Sequence, residues 1–376
     1  MADVVIATHR DLVALAPQPL YLAQALSERG LAVELVSNAP VAMRERLSAS
    51  NLLLSGPSDS LRSPRMRLAA IWMESIKSLV NAKIAVAFDL NTTWPIAFAR
   101  KLHDFATVLY WLEPFYGDYG ARPSLSTGLG RRSLRKVLPP DALIDVDCKR
   151  AEISKRLCKE PASCFVIRNT PPSSFARQRK VRIASDTVRL VYSGSVTGLG
   201  AEGIEHMVRA VAVSNKACTL TIFPAEGRPA ANQLAQLIRE KRIDDCVRLQ
   251  DRVERDHLAE ALSQSDIGVV LYPVRPGQDN NAMMAAPNKL YEYLAAGLAI
   301  LASNNETMRF VGREKLGWNI AGTRIEETAE FLDRLNVTDV EACCERAGRA
   351  FRERYNYESQ AEPAVQWFVR QIEGCN

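Results

Sequence analysis

Short apolar runs alternate with helix-length amphipathic segments along the chain, and this rhythm restricts the fold more than any other feature. Residues 4–7, 32–37, 84–89, 107–111, 142–146 and 164–169 read as strands in the first half. Residues 188–192, 219–223, 247–249, 267–273 and 298–303 do so in the second. Helices are expected at about 19–29, 61–80, 94–103, 203–213, 229–241, 256–264, 287–297 and 357–372. Near-continuous apolar strands separated by helices imply crossover connections, and these imply parallel sheets covered on both faces. The fold class is therefore α/β.

The rhythm is interrupted once. Pro171-Pro172 opens a polar, Lys/Arg-rich stretch that runs to residue 186, and the alternation restarts at Val188. A chain of 376 residues is long for one core and suits two. The expected division is a first Rossmann-like domain over 1–172, a linker over 173–186 and a second doubly wound domain over 187–350, with 351–376 as a terminal helical segment.

Composition excludes several classes. No apolar run reaches the ~18 residues of a membrane span. The start, Met1-Ala2-Asp3-Val4, enters a strand without a basic signal-peptide region, so a cytoplasmic location is expected. The eight cysteines form no CxxC pair, and His9, His103, His206 and His257 show no metal-ligand spacing, so no metal is expected. The loop Thr8-His9-Arg10-Asp11 after the first strand contains no glycine, so no dinucleotide fingerprint is present. Charge is uneven: 22 Lys/Arg stand against 16 Asp/Glu through residue 175, and 26 against 27 beyond it. The basic first half suits an anionic acceptor or membrane surface. Within it, Arg62, Arg65, Arg67 and Lys77 flank apolar residues of the 61–80 helix, which reads either as an interfacial helix or as one with an ordinary core face.

One helix breaks local rules. In Pro287-Asn288-Lys289-Leu290-Tyr291-Glu292-Tyr293-Leu294-Ala295-Ala296-Gly297, Pro287 suits a first turn and Gly297 a C-terminal cap. Lys289 places a cation where the helix dipole is already positive, and it pairs with Glu292 in the poorer orientation. An anion bound at this helix start would compensate, and a solvated surface lysine is the alternative. Other candidate positions lie at strand ends: Asp89 and Glu113 in the first half, and Ser193-Gly194-Ser195, followed by Gly198, Gly200 and Gly203, in the second.

The 287–297 segment resembles the signature P-x-K-[LF]-x-E-[YAF]-x-A-x-G of the retaining, sugar-nucleotide-dependent glycosyltransferase family four (glycosyl transferases group 1). Val191-Tyr192-Ser193-Gly194-Ser195, Ser265-Asp266-Ile267-Gly268, Ile167-Arg168-Asn169 and Tyr355-Asn356-Tyr357 are similar to its other motifs. The resemblance covers nearly the whole chain. It implies a GT-B fold of two Rossmann-like domains facing a cleft, with the acceptor in the first, the donor in the second and the terminal helix crossing back. It also implies metal-independent transfer, with retention, from a nucleoside diphosphate sugar to a glycan or lipid-linked acceptor in surface polysaccharide assembly. No cofactor and no nucleic acid are implied, and a peripheral membrane position is compatible with it. Glu292 would bind the donor ribose, while Lys289, the helix start and Ser193, Gly194 and Ser195 would hold the diphosphate. Arg252 and Val253 would lie near the base, and Arg275, Asp279, Asn280, Asn281, Met284 and Asn288 would line the donor site. Glu113, Lys289 and Glu292 are the catalytic candidates.

The sequence departs from that pattern. Met284 stands where many members have a second glutamate, Glu202 where they have a lysine, and Leu112-Glu113 where they have a histidine before the glutamate. These departures also admit a non-catalytic nucleotide-sugar-binding partner subunit. A nucleotide-sugar 2-epimerase shares the two-domain layout, but its Gly-Thr-Arg-Pro-Glu opening is absent.

Overall fold

The structure, a computed structural model, describes residues 2–9, 17–111, 132, 134–180, 187–272 and 283–374. The chain divides into two units, 1–168 with 360–376, and 169–359.

In the first unit the strands are β1 (Val4–Ala7), β2 (Val33–Val36), β3 (Leu52–Ser55), β4 (Ile84–Ala87), β5 (Ala106–Trp111), β6 (Ala142–Asp145) and β7 (Ser163–Val166). They form a parallel sheet in the order β3-β2-β1-β4-β5-β6-β7. Helices α1 (Gln18–Glu28), α2 (Val41–Leu47), α3 (Pro64–Ser78), α4 (Thr93–Ala99) and α5 (Cys148–Leu157) make the crossovers. Every residue of β1 and β4 is buried, as central parallel strands require. The sequence reading passed over α2, β3 and α5. The strand β3 is short and on the sheet edge: its apolar run is only Leu52-Leu53-Leu54, and Leu53 is 54% exposed. Chain direction reverses across the sheet between β1 and β4, and there Asp89 is committed to structure. Its carboxylate accepts from Thr8 Oγ1, the His9, Asn91 and Thr92 amides, and lies 2.8 Å from His9 Nδ1.

The second unit holds β8 (Val188–Gly194), β9 (Cys218–Pro224), β10 (Val247–Leu249), β11 (Ile267–Val270), β12 (Ala299–Ser303) and β13 (Gly317–Ile320). Their parallel order is β10-β9-β8-β11-β12-β13. The helices between them are α6 (Gly198–Val213), α7 (Asn232–Lys241), α8 (Arg255–Leu262), α9 (Asn288–Ala295) and α10 (Phe310–Arg313). After β13 come α11 (Ile325–Asp333), α12 (Val337–Glu353) and α13 (Tyr357–Glu373). The helix α6 begins at Gly198, not near 203, so Gly200 and Gly203 are helical residues rather than loop. Two parallel α/β sheets in one chain are the fold class read from the sequence.

Within the second unit, a buried charge cluster ties the segment before β8 to the sheet. Asp266, just before β11, accepts from the Arg189 amide and Nε at 2.9 Å each and from Arg189 Nη2 at 2.5 Å. Arg179 Nη1 donates to it at 2.6 Å and reaches Glu341 through Nη2. Burial pushes the Asp266 carboxyl up, but the Arg189 bonds and the two guanidinium charges outweigh it and hold the group below its usual value. Among the described residues, no helix is long and apolar enough to cross a membrane, and all seven cysteines are free.

Removing the carboxylate would strand two guanidinium groups. Asp266→Asn is expected to lose about 3 kcal/mol in urea unfolding. Because the folded pKa is depressed, the wild type keeps its advantage above pH 3.8 and loses it as pH falls through the lower folded value.

Candidate functional site

In a sheet of this order, ligands meet the carboxyl ends of the strands where the direction of crossover reverses. In the second unit that point lies between β8 and β11. Ser193 and Gly194 end β8, Leu271 and Tyr272 follow β11, and α9 begins close behind.

Helix α9 is buried along nearly its whole length, with every residue from Lys289 to Ala296 below 9% exposure. Pro287 is its N-cap rather than its first helical residue: φ −77° and ψ 141° are extended, and Asn288 starts the helix. At the other end the Gly297 amide donates to Leu294 O and the Leu298 amide to Tyr293 O, each at 3.0 Å. This closure needs a left-handed residue, and Gly297 has φ +70°. The loop before the helix is fixed from two sides: Asn169 Nδ2 donates to Ala286 O at 2.6 Å, and the Thr307 hydroxyl to Ala285 O.

Lys289 is 8% exposed, which removes the solvated-surface reading. Its ammonium sits 3.9 Å from the centroid of the Tyr192 ring and 5.6 Å from that of Tyr272. Two ring faces thus supply part of the negative potential that the first turn of a helix withholds. Gly194 makes room for this, because a Cβ there would fall on Lys289 Nζ and lie 2.7 Å from Cε. Tyr293 completes the wall. Its hydroxyl accepts from the Ser193 amide at 2.8 Å, and its ring lies where any side chain on Gly268 would be. Burial raises the phenols of Tyr272 and Tyr293, with Lys289 opposing the rise at Tyr272, so both remain neutral groups.

The expected Lys289–Glu292 pair does not form. Glu292 is 5% exposed and takes a hydrogen bond from Arg255 Nη1 at 3.0 Å on Oε1, while Lys289 turns toward β8. Oε2 of Glu292 makes no hydrogen bond among the described residues. Arg255 also stacks over Phe175, 5.5 Å from its centroid.

The other candidates separate. Gly194 adjoins Lys289, and the Ser193 amide is held by the Tyr293 hydroxyl. The Ser195 hydroxyl instead goes to Glu226. Asn288 is half-buried as the first residue of α9, and Met284 is buried, at 9%. Arg252 is exposed, 3.9 Å from Glu254, and Val253 packs against the cluster that contains Tyr291 and Phe310. Glu113, Arg275, Asp279, Asn280 and Asn281 lie outside the described residues. Tyr192, Tyr272, Arg255 and Glu226 were not picked out. Arg255 carried a usable signal, since a cation in a first helical turn is the same anomaly that drew attention to Lys289.

Residues 187–336 match the model of the family described as glycosyl transferases group 1. No curated protein matches the chain. Among solved structures it is similar to sucrose-phosphate synthase from Thermosynechococcus elongatus, with TM-score 0.74 and 15% identity over 100% of both chains. It is also similar to Anabaena Alr3699/HepE, solved in complex with UDP-glucose, with TM-score 0.71 and 11% identity over 100% of this chain and 99% of that one. WaaG, a glycosyltransferase involved in lipopolysaccharide biosynthesis, gives TM-score 0.66 and 14% identity over 97% and 99%. At such identities the likeness is one of fold, and the fold is the GT-B type. The resemblance read from the signature helix stands, with the family match falling on the second unit.

Gly194 has φ +153° as well as Lys289 against it. Gly194→Ala is therefore expected to lose about 1–3 kcal/mol in chemical denaturation, through backbone strain and overpacking. Adding Lys289→Ala to it should return the overpacking part, read as a positive coupling in a double-mutant cycle.

Proposed function

We propose that the chain is a retaining, metal-independent glycosyltransferase that uses a nucleoside diphosphate sugar as donor. The observation that carries this reading is the buried pair Lys289 and Glu292 on α9, at the point where crossover direction reverses. Lys289 and the helix start take the diphosphate, and they stabilise the charge that grows on the leaving group as the glycosidic bond breaks. Glu292 receives the ribose hydroxyls on Oε2, its other oxygen being held by Arg255. Val253 and Arg252 border the base, and Asn288 lines the donor site. The leaving phosphate assists attack on the same face of the sugar. The fold shared with Anabaena Alr3699/HepE, whose structure contains UDP-glucose, supports a nucleotide-sugar donor.

The acceptor is a glycan or lipid-linked glycan bound by the first unit, as in surface polysaccharide assembly. The outward side of α3 supports a peripheral membrane position. Met66 and Met73 are each 57% exposed there, beside exposed Arg62, Arg65 and Lys77. Such a face combines apolar insertion with attraction to anionic headgroups. Anionic vesicles should sediment the protein, and salt should release it. Met66→Asp/Met73→Asp should weaken this binding.

A second reading, a non-catalytic nucleotide-sugar-binding partner subunit, is favoured by the buried apolar Met284 at the family's sugar-reading position. Binding of a nucleotide sugar with no transfer or donor hydrolysis over a broad acceptor panel would select it.

The donor site is tested in two ways. In a thermal-shift panel, the matching nucleotide at a hundredfold its Kd should stabilise by about 2.7 kcal/mol. Glu292→Ala and Lys289→Ala should each lose at least about tenfold in turnover, equivalent to about 1.4 kcal/mol. Wild-type rates in both variants would remove the assignment.

A further inference from the structure

The turn after β8 already holds an anion. Glu226, in the loop after β9, accepts on Oε1 from the Ser195 hydroxyl and, at 2.9 Å, from the Thr197 hydroxyl. Its Oε2 accepts from the Val196 amide at 3.1 Å. Two hydroxyls and a backbone amide immediately before a helix are the donors that suit a phosphate oxygen. Helix α6 has no acidic residue in its first turn, so the carboxylate answering its N-terminal dipole comes from another strand's loop. That loop hangs on the same turn that Lys289 abuts, since the Ala225 amide donates to Gly194 O at 2.9 Å.

Glu226 is well placed to leave. The residue is exposed, and Gly227 follows it with φ +83° in a turn closed by its amide on Pro224 O at 3.1 Å. Burial raises its carboxyl, but the bonds from Ser195, Val196 and Thr197 win and hold it below the usual value, so it is an anion whenever the protein works near neutrality.

We infer that Glu226 is an internal competitor for the donor's diphosphate. It occupies the donors at 195–197, and a nucleoside diphosphate gains them only when the carboxylate swings out. This rests on the donor-site reading above. Its consequence is that the site holds the diphosphate less tightly than its donors allow, which eases departure of the nucleoside diphosphate product.

The test is calorimetric titration of UDP and GDP, with the corresponding monophosphates, into wild type, Glu226→Gln, Glu226→Ala and Lys289→Ala at fixed salt. The unliganded melting temperatures report folding, and two different replacements at an exposed position guard against loss of either one. Both Glu226 variants should bind the preferred diphosphate about tenfold more tightly than wild type, because charge-assisted bonds held internally become available to the ligand. The monophosphate should gain less. Equal or weaker diphosphate binding in both Glu226 variants, with binding still lost in Lys289→Ala, overturns the competitor and leaves the donor site standing. No binding of any nucleotide by any folded variant overturns both.

Discussion

The ammonium of Lys289 sits in the first turn of a buried helix, against two tyrosine rings, and much of the second unit follows from keeping it there. A cation at that position is opposed by the helix dipole and by loss of hydration. The rings of Tyr192 and Tyr272 offset part of this. Each ring comes from the end of a different central strand, so the register of β8 against β11 sets the spacing of the box. Gly194 must lack a side chain to admit the ammonium, and Gly268 must lack one to admit Tyr293, whose hydroxyl then holds the Ser193 amide.

A second electrostatic frame supports the first. Asp266 binds Arg189 in β8 and Arg179 in the segment before β8, and so fixes the base of the two strands whose far ends carry the tyrosines. Around the site, charges are answered by residues from other elements. Glu292 meets Arg255 from α8, and Ser195 meets Glu226 from the loop after β9. The result is a set of partly neutralised groups, each answered by a partner from another element.

Much of the architecture was legible before the structure. Parallel strands buried on both faces leave continuous apolar runs, and β1, β4, β8 and β12 fall where such runs are. Edge elements were not legible, because the apolar run of β3 is only three residues long and α2 has no buried residue. The anomaly at Lys289 was legible as a broken dipole rule. Its partners were not, since Tyr192 and Tyr272 lie 97 and 17 positions away in sequence and meet it only through the sheet. The same distance hid Glu226: Ser195 and a nearby glycine cluster looked like an empty phosphate loop, whereas a carboxylate 31 positions on had filled it.

The sequence alone determined where the central strands and the helices between them lie, that two parallel sheets result, and that α9 carries a charge its own helix does not want. Those properties depend on local periodicity and on the dipole of a single helix, which a linear string records. Only the tertiary structure decided what answers the charge: ring faces for Lys289, a guanidinium for Glu292 and a carboxylate for the 195–197 turn. Such pairings depend on strand order and register, and no local propensity encodes them.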